Sequence, residues 1–353
     1  MTGVRVLRPS ELTPALTARW AEIQRSNARY ASPFFQPAFT QLVARARDDV
    51  HVAVLERNDD AVGFFPYQRD RLGIGRPAGW TLCDYQGVVA EPDARWSADE
   101  LIRACGLRWF EFDHLLAEQE PFLPFHRGSS SSLVIDLSDG FEGYEQAQQQ
   151  AGVRTVSRLR KRWKRLEREH GPVRFDAHLT DPDALATLLD WKSAQYRRTG
   201  MSDLLARPWF RRVIESAHTE SDDGFAGLLS GLYAGERLVA LHLGLRSNSV
   251  WHYWLPAHDD DPALSRSSPG LLLILAMAQH AEVLGLRALD FGKGETRYKR
   301  DFANAEVALA EGWVGTSALA AASRLGGHAR ALVRRSTLGP RARRLANRAL
   351  GRS

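Results

Sequence analysis

Several side chains in this sequence have types and spacings that could do chemistry. Ser267, Ser268, Pro269 and Gly270 precede the apolar run that opens at Leu271 and reaches Ala278, which is how a helix start reads. Serine caps an orphan N–H there, and proline is tolerated in the first turn. Four free backbone N–H groups and the positive end of the helix dipole at such a start can hold a phosphate, although a well-capped core helix looks the same. Arg266, just ahead of it, could add a charge-assisted contact. Asp290 stands at the end of the strand pattern Ala288–Phe291, where sites on α/β sheets collect, and could orient or deprotonate an acceptor; capping the Gly292-Lys293-Gly294 turn is its other reading. His252 or His242 could be a base near neutral pH, or simply a satisfied strand residue. Tyr253, on the opposite strand face from His252, is a candidate for proton delivery. Lys299 is one of five lysines beside 42 arginines, so a merely solvated cation at this position would be expected to be arginine. Trp80, Asp84 and Tyr85, with Lys192 and Tyr196, combine aromatic faces with a few polar groups, which suits the lining of an acceptor cleft for a sugar or nucleotide sugar. No His/Cys/Asp cluster has metal-ligand spacing.

These residues need a scaffold. A strand before Ser268, the long apolar helix closing at Gly285 and the strand Ala288–Phe291 make a βαβ unit, whose parallel strands bring the helix start to one sheet edge. Upstream is a β-meander, Phe225–Tyr233, Arg237–Arg246 and Ser249–Leu255, with turns at Ala234-Gly235-Glu236 and Ser247-Asn248. Downstream come a short helix and a final strand over Glu306–Val314. In the first half, helical spacing predicts a helix over 15–31, ended by Ser32-Pro33, and a second around Phe34–Leu42. Strands are predicted over Val50–Glu56, Ala61–Gln68, Trp109–Leu115 and Leu133–Leu137, a helix over 98–106, and a polar loop at Gly128–Ser132. Gly143–His170 reads as one long helix with eight basic residues from Arg154 to Arg168, a face for nucleic acid, membrane or solvent. Two more helices fall between Asp181 and Ala217. The pieces opening at Ala53 and Ser230 are both strand–turn–strand with an acidic turn, which suggests a duplicated α/β unit.

A chain of 353 residues can build two ordinary cores, and 44% hydrophobic with 25% charged residues is a globular balance. Two cysteines, Cys83 and Cys105, are too few for a disulfide framework and suit a reducing cytoplasm. No secretory leader is recognised, and no run reaches the roughly 20 apolar residues of a membrane span. The net charge of +5 is uneven: residues 316–353 carry nine arginines and no acid, leaving −4 on residues 1–315. Leucines among those arginines would let the tail lie on an anionic bilayer at the inner face of the membrane, or remain solvated.

The element order resembles the GNAT acyltransferase fold. Ser32-Pro33-Phe34-Phe35, the basic Arg158–Leu166 helix, Ser268-Pro269-Gly270-Leu271, and Leu289-Asp290-Phe291-Gly292 followed by Tyr298-Lys299-Arg300-Asp301-Phe302 resemble its CelD/BcsL-like (BioF2-like) acetyltransferase branch, related to the FemAB-type peptidyl transferases. The resemblance covers roughly residues 5–315. It implies an α/β (α+β) fold of two GNAT-like halves with mixed central sheets: 1–140, 141–315 as the catalytic half, and a basic helical tail over 316–353. It implies a thioester co-substrate, acetyl-CoA or another acyl-CoA, lying where Ser249–Leu255 splays from Ala288–Phe291, its pyrophosphate against Arg266, Ser267, Ser268, Pro269, Gly270 and Leu271. The segment is poorer in glycine and basic residues than the usual GNAT phosphate loop. Lys299 takes the place of a lysine that FemAB relatives use near the transferring carbonyl. The implied activity is N- or O-acyl transfer to an amino sugar, polysaccharide precursor or envelope metabolite. Aminoacyl transfer from a charged tRNA is the FemAB-like alternative, and a non-catalytic GNAT-like module in polysaccharide biosynthesis is a third. The oligomeric state is left open.

Overall fold

The computed structural model describes residues 3–222 and 224–315. The tail, with the membrane contact read on it, lies outside the described residues. The first half supplies strands β1 (Gly3–Leu7), β2 (Val50–Arg57), β3 (Asp60–Arg69), β4 (Ile74–Pro77), β5 (Val89–Ala90), β6 (Trp109–Leu116) and β7 (His126–Asp136). The second supplies β8 (Val173–Asp176), β9 (Ser221–Asp222), β10 (Phe225–Ala234), β11 (Arg237–Arg246), β12 (Val250–His258), β13 (Ala288–Lys293) and β14 (Ala305–Val314). Helices are α1 (Pro14–Arg25), α2 (Pro37–Ala46), α3 (Ala98–Ala104), α4 (Gly140–Gln150), α5 (Thr155–His170), α6 (Pro182–Arg198), α7 (Pro208–Thr219), α8 (Pro269–His280) and α9 (Arg297–Phe302).

Both halves repeat one pattern. Antiparallel β2, β3 and β4 meet β6 in parallel, and antiparallel β10, β11 and β12 meet β13 in parallel. The faint repeat opening at Ala53 and Ser230 falls on β2–β3 and β10–β11. The closing strands are then exchanged. β7, from the end of the first half, pairs with β13, and β14, from the end of the second, pairs with β6. The two also pair with each other, so one mixed sheet of 14 strands runs through the described residues.

Because both sheet faces are covered, β10–β12 are nearly continuous apolar runs. Leu229, Leu241 and Leu243 join the core under α1, α2, α6 and α7, while Leu228, Leu232 and Val239 join the one under α5 and α8. The helix α8 is apolar all round because it is wedged between the sheet and α5.

Several elements differ from the sequence expectation. The predicted 15–31 helix ends at Arg25, and Asn27 caps a short 3-10 turn by accepting the Arg29 N–H. Gly152, at φ 73°, breaks the predicted 143–170 helix into α4 and α5. The α8 helix stops at His280, and a separate 3-10 turn carries the chain to Gly285. Gly128–Ser132 is strand rather than loop, since its backbone pairs with β14 whatever its side chains prefer. The supposed Gly-Lys-Gly turn is in part the end of β13.

A Cβ on Gly312 of β14 would lie 2.1 Å from the Phe125 carbonyl oxygen and 2.8 Å from the Phe112 ring. Gly312→Ala is expected to destabilise the chain by roughly 1–3 kcal/mol, read as a lower urea midpoint; an unchanged midpoint would mean that β14 adjusts freely.

Candidate active site

The parallel strands β12 and β13 pair at Val250–Ala288, Trp251–Leu289 and His252–Asp290, and no further. Beyond that point β12 runs on to His258 and β13 to Lys293, so the strands part. The chain enforces the parting. Gly292, at φ 65°, turns β13 aside. The Lys299 ammonium then donates to the carbonyls of Phe291 (2.7 Å), Gly292 (3.3 Å) and Lys293 (3.0 Å). All three donors of Lys299 are thus used on carbonyls at the end of β13. Burial lowers the Lys299 pKa, against the raising fields of Asp84 and Asp290.

On the α8 side the gap opens into a cleft of about 560 Å³, with Tyr253, Pro256, Gly270, Leu271, Ile274 and Tyr298 in its wall. The expected set of four free amides at the helix start is reduced. Pro269 has none, and the amides of Ser268 and Leu271 donate to the carbonyls of Leu264 (3.2 Å) and Ser268 (2.9 Å), which leaves that of Gly270. Ser268, Pro269, Gly270 and Leu271 line the cleft, whereas Ser267 is buried and Arg266 points to solvent. Positive charge comes instead from α5: Arg162 donates to Ser268 Oγ (2.9 Å) and Arg165 to the Arg266 carbonyl (3.5 Å). The acidic rim, Asp259–Asp261, is balanced, since Arg237 pairs with Asp259 (2.6 Å) and Asp261 (2.8 Å), and Arg198 pairs with Asp260. An apolar trough with an amide, a helix dipole and arginines at one end fits a long thioester arm with a phosphate end.

The opposite face of the gap holds the titratable groups, two of them from the first half. His252 Nε2–H donates to Asp84 Oδ2 (2.8 Å), and its Nδ1 lies 3.6 Å from Asp290 Oδ1. Asp290 accepts from Tyr85 Oη (2.5 Å), Ser132 Oγ (2.5 Å) and the Gly292 amide (2.8 Å). Burial favours a neutral Asp84, but the hydrogen bond from His252 and the fields of His252, His114 and Lys299 outweigh it and hold the carboxyl below the usual range. Burial, then Asp290, pushes the Tyr85 phenol well up. His252 is fully buried, whereas the Asp84 side chain keeps 24% of its surface open. Phe34 stands edge-on to the His252 ring at 4.7 Å and fixes it.

Asp84, Tyr85, His252 and Asp290 therefore meet in one network. Tyr253 faces the cleft instead, its phenol raised well above the usual range by burial and then by Tyr298. Lys192 and Tyr196 sit together on α6 against β12: the Lys192 ammonium donates to the Pro256 carbonyl (2.9 Å), and burial pushes its pKa down to about 8. Trp80 lies elsewhere, in a smaller pocket with Trp209. Sequence reasoning missed Ser132, His114 and Asp113. His114 lies 3.5 Å from Asp84 Oδ1 through Nε2 and 2.8 Å from Asp113 Oδ1 through Nδ1. A signal existed for the latter pair, as Asp113-His114 interrupts an aromatic strand; nothing marked Ser132 within its serine run.

Residues 153–300 match the family model of the acetyltransferase (GNAT) domain. No curated protein matches in sequence. Solved structures share the fold across both halves. One is the C-terminal domain of a provisionally named lysylphosphatidylglycerol synthetase from Agrobacterium fabrum, at TM-score 0.53 and 14% identity, covering 88% of this chain and 96% of that one. Another is L-PGS from Bacillus licheniformis, at 0.51 and 11%, covering 87% and 95%. A third is FemX, at 0.52 and 10%, covering 88% and 96%. At such identities the likeness is one of fold. The match of residues 153–300 to the acetyltransferase (GNAT) domain makes this chain an acyltransferase.

His242, the other candidate base, is fully buried; its Nε2 accepts the Trp254 amide (3.1 Å), and burial, then the field of His252, push its pKa down to about 3. Unfolded, it would take a proton near pH 6.5. The folded state should therefore lose stability as pH falls from about 6.5 towards about 3. Urea melts across that window check this, and His242→Gln should flatten the slope; an unchanged slope would show that other groups set it.

Proposed function

We propose that the chain transfers an acyl group from an acyl-CoA, acetyl-CoA in the first instance, to an amine or hydroxyl of an amino sugar, polysaccharide precursor or other envelope metabolite. We place it in the CelD/BcsL-like branch of the GNAT enzymes and in the cytoplasm, with its tail at the inner face of the membrane. The observation that carries the reading is the parting of β12 and β13 at His252–Asp290. It leaves a phosphate-suited cleft on one face and an open carboxylate, Asp84, on the other.

The co-substrate supplies an activated carbonyl. Gly270, the start of α8 and Arg162 would hold its phosphates, and Tyr253, Tyr298, Leu271 and Ile274 would line its arm. Asp84, kept ionised, orients the acceptor's N–H or O–H by charge and hydrogen bonding, and is too weakly basic to pull hard on a proton. His252 fixes the Asp84 carboxylate, and Asp290, held by Tyr85 and Ser132, sits behind it. Lys299 keeps the gap open rather than touching the carbonyl. Tyr253 remains a phenol and can donate to a developing oxyanion or thiolate.

One observation favours a second reading. The basic face of α5 reaches the cleft mouth through Arg162 and Arg165, which would suit the acceptor stem of an aminoacyl-tRNA in a FemX-like transfer.

Isothermal titration of the whole chain with acetyl-CoA and with aminoacyl-tRNA should show binding of acetyl-CoA. Salt-sensitive binding of tRNA alone would replace the first reading with the second, and binding of neither would leave a non-catalytic module. Asp84→Asn should lower kcat roughly 100-fold while acetyl-CoA affinity is kept, measured by thiol release with an amino-sugar acceptor.

A further inference from the structure

A pocket of about 150 Å³ lies apart from the transfer network, where the ends of α2, β3 and β4 in the first half meet the start of α7 in the second. Its wall holds two tryptophans, and each carries an arginine on its ring. The Arg47 guanidinium lies 4.9 Å from the Trp209 centroid, and that of Arg76 lies 5.2 Å from the Trp80 centroid. The two arginines are anchored unequally. Arg47 is held by Asp49 through Nε (2.8 Å) and Nη2 (2.5 Å), so it is part of the frame. Arg76 Nε is 3.8 Å from Glu111 Oε2 and has no hydrogen-bond partner. Arg207, at the start of α7, is exposed, and among the described residues its guanidinium has neither ion pair nor hydrogen bond. Of the two acids in the wall, Asp49 is taken by Arg47 and Gln68, and Asp70 by the amides of Leu72 and Ile74 (2.9 Å each). What the pocket offers a ligand is thus two indoles and two under-used guanidiniums. The frame also holds Trp80 at φ 41°, a conformation that a bulky residue rarely adopts.

We infer that this pocket binds a single sugar ring carrying a carboxylate or phosphate. The indoles supply the ring-sized apolar surface, and Arg76 and Arg207 supply the donors for the anion. The volume is below the ~300–1,000 Å³ of drug-sized sites, which admits one ring and excludes a molecule as large as coenzyme A. The site stands whether or not the transfer reading does, because none of its residues belongs to the Asp84–His252 network or the α8 cleft. If both hold, the segment running from Trp80 to Asp84 connects an acidic sugar here with the acceptor position.

The test is calorimetric titration of the full chain with glucuronic acid, glucose 6-phosphate, glucose and inorganic phosphate. Binding of glucuronic acid or glucose 6-phosphate, and of neither glucose nor inorganic phosphate to a comparable degree, is expected; which acid binds more tightly distinguishes carboxylate from phosphate. Arg207→Gln should weaken the preferred acid about tenfold or more, and Trp209→Leu should do likewise, with acetyl-CoA affinity unchanged in both. Among the described residues the Arg207 guanidinium has no partner to lose, so that variant should keep the wild-type near-UV circular dichroism and a fair reading. Equal binding of glucose, equal binding of inorganic phosphate, no binding of any probe, or full affinity in Arg207→Gln would each overturn the site.

Discussion

The hydrogen bond from His252 to Asp84 joins a wholly buried imidazole of one half to a carboxylate of the other. Breaking such a pair is costly, since an unpaired buried charge costs several kcal/mol. The other imidazole nitrogen, Nδ1, has no hydrogen bond and stands 3.6 Å from Asp290 Oδ1. Asp290 lies beside the imidazole, with Tyr85, Ser132 and the Gly292 amide satisfying its oxygens. Gly292 must be glycine, because a Cβ there would come within 2.3 Å of the Asp84 carboxylate. Lys299, by bonding the carbonyls that follow, keeps β13 from closing onto β12 and filling the gap.

This arrangement depends on the two halves being one body. The exchange of β7 and β14 places each half's closing strand beside the other's, so that the sheet has no break at the site. The loop carrying Asp84 and Tyr85 is tied down from the other side as well, as the Trp254 indole N–H donates to the Leu82 carbonyl (2.9 Å). Phe34 and Phe35 close the top, packing on His252 and Tyr85 respectively. A carboxylate held this firmly is suited to orienting an acceptor, since a loosely held one would spend binding energy on being ordered.

Much of the local structure was legible from residue pattern alone. The meander β10–β12 has glycine and acidic turns between apolar runs, and short-range physics suffices to read it. The apolar run of α8 between two strand patterns likewise allows little else. Local reading failed where tertiary pairing overrode it. The serines of β7 look like a loop because their side chains are polar, yet the backbone is claimed by β14, more than 170 residues away. Residue types were also a weak guide to roles. Lys299 was conspicuous as a rare lysine, and its ammonium is spent on three backbone carbonyls; Trp80 was grouped with Asp84 by proximity in sequence, yet past the 3-10 turn Trp80–Leu82 Asp84 bonds His252 while Trp80 lines the pocket with Trp209.

What the sequence by itself determined is the set of elements, the echo between the halves and the βαβ unit that offers a helix start beside a strand end, because these rest on contacts between near neighbours in the chain. Only the tertiary structure decided which side chains share the site. Asp84, Tyr85 and Ser132 reach His252 and Asp290 across separations of 158 to 205 residues. Those meetings are set by strand exchange and by the packing of one half against the other, and neither leaves a mark in the local order of residues.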